Sequence, residues 1–380
     1  MTWWQILLSA LAALSMLLLL WQWLAALRFP LHRRIASPSF FPAVTIFKPL
    51  KGADSETEAC LRSWLAQDYR GPVQFLFGAA SENDPACDIA RKLIREFPER
   101  DAKLIIGPQS NCPNAKVGTL INLSTHACHD FWIISDADVY VPPDFLSNVI
   151  APFQQPDIAL VNCFYQLANP STLAMRCEAV AVNADFWSQV LQARCLKPLD
   201  FALGAVMAAR RSAIESIGGF QSLCDYLADD FQLGHQIAAR GGRIELCPVV
   251  VECRESPQGW RQIWKHQLRW ARTIRVCRPL PYFFSILSNA TLWPLAAAIA
   301  VGNPAFWGAL CFCVALRCCA ALNLQSRLTC SRAHLWYDFL VPLKDMLHAL
   351  LWALAFAGNT IEWRGTKYTL TRDGRLIPRS

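Results

Sequence analysis

Hydrophobic positions crowd the two ends of this chain and alternate with polar ones between them. From about Trp4 to Leu27 the apolar run is nearly unbroken, and about 20 such residues suffice to cross a bilayer. A cleaved leader would open on basic residues and close on a small-residue cleavage site. This stretch has neither and ends at Arg28, so it predicts a retained anchor.

The middle of the chain changes period repeatedly. Val44-Thr45-Ile46-Phe47 reads as a strand and Glu56 to Ala66 as a helix. Val73 to Phe77 is a strand, Pro85 to Phe97 a helix, Leu104-Ile105-Ile106 a strand, and Val117 to His126 a helix. Phe131 to Ile134 is a short, wholly apolar strand. Such alternation predicts an α/β fold whose mostly parallel sheet is covered on both faces. Ligands of such sheets sit beyond the carboxyl ends of the strands.

Apolar character returns after Pro281. Tyr282 to Val301 and Ala305 to Leu324 are two candidate spans, separated by Gly302-Asn303-Pro304, which suits a tight turn between antiparallel helices. Trp336 to Ala357 is a weaker third, interrupted by Asp338, Lys344, Asp345 and His348; it either spans or lies in the interface. The expected organisation is therefore an anchor over residues 1–30, a globular domain over 40–278, membrane segments over 279–360 and a tail over 361–380.

Charge sharpens this picture. The formal net charge is +7, and it is localised. Arg28, His32, Arg33 and Arg34 follow the first apolar run, and seven basic residues from Arg254 to Arg278 precede the second. Basic flanks mark the cytoplasmic side of a membrane. The globular domain is thus expected in the cytoplasm and the N terminus outside, in a multi-pass protein. No nucleic-acid-binding motif accompanies the basic residues, so no nucleic-acid partner is expected. The sixteen cysteines form no paired C-x-x-C, and four of them, Cys311, Cys313, Cys318 and Cys319, lie inside an apolar run. They read as reduced, small hydrophobic residues and not as a zinc site.

The candidate chemistry is acidic. Asp136-Ala137-Asp138 directly follows the strand Phe131 to Ile134. Two carboxylates two residues apart at that edge can reach one divalent cation and its bound diphosphate. The alternative is a turn capped by aspartates. Asp229-Asp230 precedes the helical run Phe231 to Arg240. Aspartate favours helix N-termini, yet one of the pair can cap while the other faces substrate. A carboxylate whose pKa is lifted by burial suits a general base for a sugar-acceptor hydroxyl. His235 is a substitute base, one turn further on. Asp84, in Asn83-Asp84-Pro85, follows the strand Val73 to Phe77 and reads alone as a turn or N-cap residue. Lys116 precedes a helix and is placed either to meet phosphate or to be solvated. His266-Gln267-Leu268-Arg269-Trp270 lies on a basic, aromatic helix: Arg269 suits a phosphate and Trp270 a sugar or base, while the same pattern suits a helix on anionic lipid.

Taken together these residues resemble the ceramide glucosyltransferase family, glycosyltransferase family 21. The matching pieces run in order: Lys48-Pro49-Leu50-Lys51-Gly52, Asn83-Asp84-Pro85-Ala86, Asn114-Ala115-Lys116, Ser135-Asp136-Ala137-Asp138, Leu227-Ala228-Asp229-Asp230-Phe231, Arg269-Trp270, and the tail Glu362 to Tyr368. The resemblance implies a GT-A fold and inverting transfer from a UDP-sugar to a lipid hydroxyl. It implies Asp84 near the nucleotide, Asp136 at a metal–diphosphate centre of Mg²⁺ or Mn²⁺ with Asp138 beside it, and Asp230 as the base. Lys116, Arg269 and Trp270 would contact the nucleotide-sugar. The family carries Gln or Arg where this chain has His266, so no role passes to His266. The complete D-x-D is also absent from many members. The compact chain resembles bacterial relatives acting in hopanoid biosynthesis, which implies an inner-membrane enzyme glycosylating either ceramide or a hopanoid polyol, with glucose or N-acetylglucosamine.

Three other classes fit less well. A processive polysaccharide synthase shares the D-x-D and Arg-Trp motifs but needs more helices than follow Trp270. A non-catalytic membrane scaffold has no reason to place acidic residues at successive strand ends. A transporter would not carry so long a polar middle segment.

Overall fold

The computed structural model describes every residue except 37, 108–111, 364 and 380. Arg364 of the tail motif therefore lies outside the described residues. The chain forms two compact units. One comprises Met1–Pro30, Pro170–Leu196 and Pro257–Ser380; the other comprises Leu31–Asn169 and Lys197–Ser256. Residues 170–196 and 257–278, within the stretch read above as one globular domain, thus group with the apolar ends.

The second unit is built on eight strands: β1 (Val44–Pro49), β2 (Val73–Ala79), β3 (Asp101–Ile106), β4 (Phe131–Ser135), β5 (Val139–Tyr140), β6 (Ile158–Leu167), β7 (Val206–Arg210) and β8 (Arg243–Cys253). Their order is β3-β2-β1-β4-β7-β6-β8-β5. β1 pairs in parallel with both β2 and β4, and β2 with β3. All six residues of β1 are buried, as befits a strand with parallel neighbours on either side and helices over both faces. β3, at the edge, alternates exposed and half-buried positions, which is why only its last three residues read as a strand. Beyond β4 the sheet is mixed: β7 runs antiparallel to β4 and β6, while β6 and β8 are parallel. An apolar core in this unit runs from Ile46, Phe75 and Ile133 to Phe145, Val161 and Val249.

In the other unit, Trp3–Arg28, Pro304–Thr329 and Ala333–Phe356 are long and apolar enough to cross a membrane. The last of these was the weakest by sequence, because charged residues interrupt it; in the fold Asp338, Lys344 and Asp345 are all buried. The candidate span Tyr282 to Val301 is apolar enough as a whole but is not one continuous helix. It is two helical pieces, Pro279–Ser288 and Leu292–Val301, bent by 53°. The break is made by Asn289, whose side-chain oxygen accepts from the backbone N–H groups of Thr291 and Leu292 and so begins a new helix instead of continuing the old one. The turn at Gly302-Asn303-Pro304 is as expected: Gly302 adopts φ 72°, and Asn303 caps the next helix by accepting from Phe306 N. The tail is a three-stranded antiparallel sheet, β9 (Thr360–Trp363), β10 (Thr366–Leu370) and β11 (Leu376–Pro378).

The reading of all sixteen cysteines as reduced is also corrected. Cys112 and Cys224 form a disulfide, their Cα atoms 5.1 Å apart across a sequence separation of 112. No local motif could mark a pair so distant in the chain. Among the described residues the other fourteen are free, and five of those are buried.

Candidate active site

The acidic residues singled out by sequence gather at the carboxyl edge of the sheet in the second unit. The next-to-last residue of β1 is Lys48, a fully buried lysine. Its ammonium donates to Ser135 Oγ at 2.9 Å and to the Asp136 carbonyl at 2.8 Å, and lies 4.2 Å from the Trp64 ring centroid. Burial pushes it down to about 7, against the pull of Cys60, Asp138 and Asp136. Lys48 therefore fixes the backbone where β4 gives way to Asp136-Ala137-Asp138. Sequence reasoning quoted Lys48 in a motif but gave it no role. The available signal was a cationic side chain inside an otherwise apolar strand.

Asp136 meets Lys116 at 2.7 Å, and Lys116 also reaches Asp229 at 3.5 Å. Lys116 stands in the first turn of the helix Ala115–Ser124. Asn114 caps that helix, accepting from the N–H groups of Lys116 and Val117. The same Asn114 side chain donates to the Tyr226 carbonyl at 2.8 Å and to Asp229 at 3.3 Å. A cap that looks local thus ties the start of this helix to the segment carrying Asp229-Asp230. Burial would drain charge from Lys116, but Asp136 and Asp229 more than offset it and hold the ammonium well above the lysine range.

Asp138 and Asp230 are compensated too little to offset their burial. The Asp138 carboxyl is pushed up to about 7 by burial, then by repulsion from Asp136 and Glu255. The Asp230 carboxyl is pushed up to about 6 by burial and by Asp229, with Lys116 opposing. One Asp230 oxygen accepts from the Phe231 N–H at 2.7 Å. The other lies where a methyl group on Gly204 would stand, 2.6 Å from it. Asp229, the closer rival by sequence, is buried and engaged with Lys116 and Asn114. His235 is exposed and stacks on Phe231.

Asp84 caps the helix Pro85–Glu96 by accepting from Ala86 N. Both of its oxygens also accept from the Gly52 N–H at 3.0 Å, and Gly52 takes φ 72°, a left-handed conformation suited to glycine. Asp84 thereby shapes the Lys51-Gly52 turn after β1. Arg269 and Trp270 lie on the helix Trp260–Cys277 in the other unit. There the Trp270 ring packs on His266 at 4.6 Å, and His266 Nδ1 pairs with the buried Glu178 at 2.7 Å.

Asp136 and Asp138 offer hard oxygen donors whose mutual repulsion a divalent cation would relieve. Among the described residues no group of three or more His, Cys, Asp or Glu side chains could hold a metal. Two carboxylates, with phosphate oxygens and water completing the shell, fit a hard cation such as Mg²⁺ or Mn²⁺ and argue against a preformed all-protein cage.

The model of glycosyl transferase family 21 matches residues 3–376. The chain belongs to that family. A ceramide glucosyltransferase of Caenorhabditis elegans (ceramide glucosyltransferase 3) is 19% identical over 367 residues, covering 92% of this chain and 78% of that protein. The ceramide glucosyltransferase of Komagataella phaffii is 34% identical over 127 residues, 32% of this chain and 25% of that one. Among solved structures, a mannosyltransferase of Pyrobaculum calidifontis in complex with GDP-Man and Mn²⁺ superposes with a TM-score of 0.55 at 21% identity, covering 89% of this chain and 97% of that one. That likeness is one of fold, and it makes the mixed, mainly parallel sheet of this family 21 glycosyltransferase GT-A-like.

The close approach of Gly204 to Asp230 yields a test of the site. Gly204→Ala should displace the Asp230 carboxylate, a movable side-chain end, at little cost in thermal stability. Transfer should fall at least tenfold while the melting temperature stays within a few degrees; unchanged turnover would mean that the Asp230 position is not critical.

Proposed function

We propose that this enzyme is an inverting glycosyltransferase that moves glucose or N-acetylglucosamine from a UDP-sugar to the hydroxyl of a membrane lipid, ceramide or a hopanoid polyol. The observation that carries this reading is the division of the acidic cluster. Asp136 and Asp229 are neutralised by one buried lysine, while Asp138 and Asp230 are left with raised carboxyls at separate points of the edge. A lipid hydroxyl is a poor nucleophile at neutral pH, so a base must take its proton as it attacks the anomeric carbon. Asp230, with its raised carboxyl, suits that task.

Asp136 and Asp138 would hold Mg²⁺ or Mn²⁺, which when bound neutralises diphosphate charge as UDP departs. Lys116 holds Asp136 in place through their ion pair and adds a cation beside the diphosphate. Asp84 would act on the nucleotide through the turn it shapes. Arg269 and Trp270 would serve the nucleotide-sugar, the guanidinium toward phosphate and the indole toward a ring face. The three apolar helices support a multi-pass membrane protein, and the basic flanks support a cytoplasmic sheet-bearing unit; the bacterial inner membrane is part of the proposal and follows from the likeness to hopanoid-pathway relatives.

Replacing Asp230 with Asn keeps the shape and removes the base. Turnover should fall roughly 10²–10⁴-fold with UDP-sugar binding intact, whereas Asp229→Asn should loosen Lys116 and weaken donor binding as well. The reverse pattern, normal turnover in Asp230→Asn and none in Asp229→Asn, would move the base by one residue. The base must be deprotonated to act, so wild-type kcat/KM should fall about tenfold per pH unit below about 6, and Asp230→Asn should lose that limb.

For the metal, Asp136→Ala should abolish transfer, and Asp138→Ala should weaken it and raise the metal concentration required. Full activity in excess chelator would exclude the metal role.

For topology, a Ser81→Cys variant in intact cells should show no labelling by an impermeant thiol reagent above that of the parent protein. Strong labelling would put the sheet-bearing unit on the other side of the membrane.

A further inference from the structure

The membrane-helix unit buries a set of charged side chains that the chemistry above does not use. Arg317 stands near the middle of Pro304–Thr329, and Lys344 and Asp345 near the middle of Ala333–Phe356. They are 3%, 4% and 3% exposed, and Asp185 is 8% exposed. Arg317 Nη2 donates to both oxygens of Asp185 at 2.9 Å and to Asp345 at 3.0 Å, and its Nε donates to Asp345 at 3.0 Å. Lys344 pairs with Asp185 and, at 2.7 Å, with Asp345. Asp185 belongs to a π-helical segment, Ala181–Phe186, a rare geometry found often at functional sites. Asp345 in turn accepts from Thr291 Oγ1 at 2.6 Å, and its carbonyl accepts from Asn289 Nδ2 at 2.7 Å. Those two residues form the break in the bent helix pair.

Three features point to a ligand and not to a fastening alone. A buried ion network is commonly no more stabilising than apolar packing of the same volume, so it is a poor device for stability by itself. A helix break at membrane depth is tolerated where the freed backbone is enclosed by protein or lines a polar cavity, as in transporter substrate sites. Arg317 Nη1 is buried with no acceptor, in a setting where nearly every buried donor has one.

We propose that this group seats the polar head of the lipid acceptor, with an amide or hydroxyl oxygen accepting from Arg317 Nη1. The inference rests on the reading of the chain as a lipid glycosyltransferase. The ligand is uncharged: two cations already balance two carboxylates here, and an anion would bring an uncompensated charge into a low-dielectric site. Ceramide offers an amide and hydroxyls, a hopanoid polyol hydroxyls only; both supply the required oxygen.

The test uses the full chain in lipid nanodiscs with ceramide and with a hopanoid polyol as separate acceptors. Arg317→Lys keeps the charge and removes the open donor. It should raise the KM for the lipid about tenfold or more, the scale of a hydrogen bond to a charged group, while the KM for UDP-sugar stays within about twofold. Thr291→Val should raise the lipid KM less. Diazirine analogues of both lipids should label wild-type peptides containing residues 181–186, 289–292 or 341–348, a readout that survives if Arg317→Lys fails to fold. The acceptor that labels there and is glycosylated is the one seated. Glycolipid product from wild type, together with label confined to other peptides or an unchanged lipid KM in both variants, overturns the seat alone. No product from wild type on either lipid overturns the proposed function and the seat with it.

Discussion

A single buried ammonium holds the acidic edge of the sheet together. Lys116 lies between Asp136, which follows β4, and Asp229, which opens a helix 93 positions further along the chain. Removing that ammonium would leave the buried Asp229 carboxylate without its counter-ion, while Asp136, whose side chain is 40% exposed, would keep partial access to water. Its presence has a second effect. It satisfies one member of each acidic pair, so the other members, Asp138 and Asp230, keep the burden of burial and carry raised carboxyls. Four aspartates with similar intrinsic acidity are thereby sorted into two that pair with the ammonium and two whose carboxyls are raised. Environment does this sorting; nothing in the residue type does.

How much of this the sequence disclosed depends on whether the signal was local. β1, β2 and β4 are short, mainly apolar runs, and their observed limits fall within two residues of the reading. The D-x-D was found because it abuts such a run. Strands β5 to β8 were not read, since a mixed sheet interleaves strands far apart in the chain, and β7 enters it antiparallel. The break after Ser288 was hidden because Asn289 and Thr291 are two polar residues in a run of apolar ones, and composition over a whole span outweighs them. Their effect is geometric: the Asn289 side chain competes for backbone N–H groups that would otherwise continue the helix. The choice between Asp229 and Asp230 was open for the same reason. Adjacent identical residues differ only in what the fold sets beside them: Lys116 and Asn114 for one, Gly204 and the Phe231 amide for the other.

Lys48 and Asp84 show a division between holding charge and shaping backbone. Both stand in motifs that read as chemistry. Lys48 spends its donors on Ser135 and the Asp136 carbonyl, and Asp84 its acceptors on the amides of Gly52 and Ala86. Neither contact depends on a ligand. Each is a charged side chain closing a turn at the carboxyl end of a parallel strand, where backbone groups released from the sheet need partners. A neutral side chain could satisfy the same backbone groups. A titratable one also contributes a field at the edge of the sheet: positive under the D-x-D from Lys48 in its protonated form, which burial makes easier to lose, and negative beside the Lys51-Gly52 turn from Asp84. In a site that must receive a diphosphate and then release it, the backbone and the electrostatics are therefore set by the same residues. A charge-removing substitution at either position would move both together, so only pairs of isosteric and charge-retaining variants can separate the two contributions.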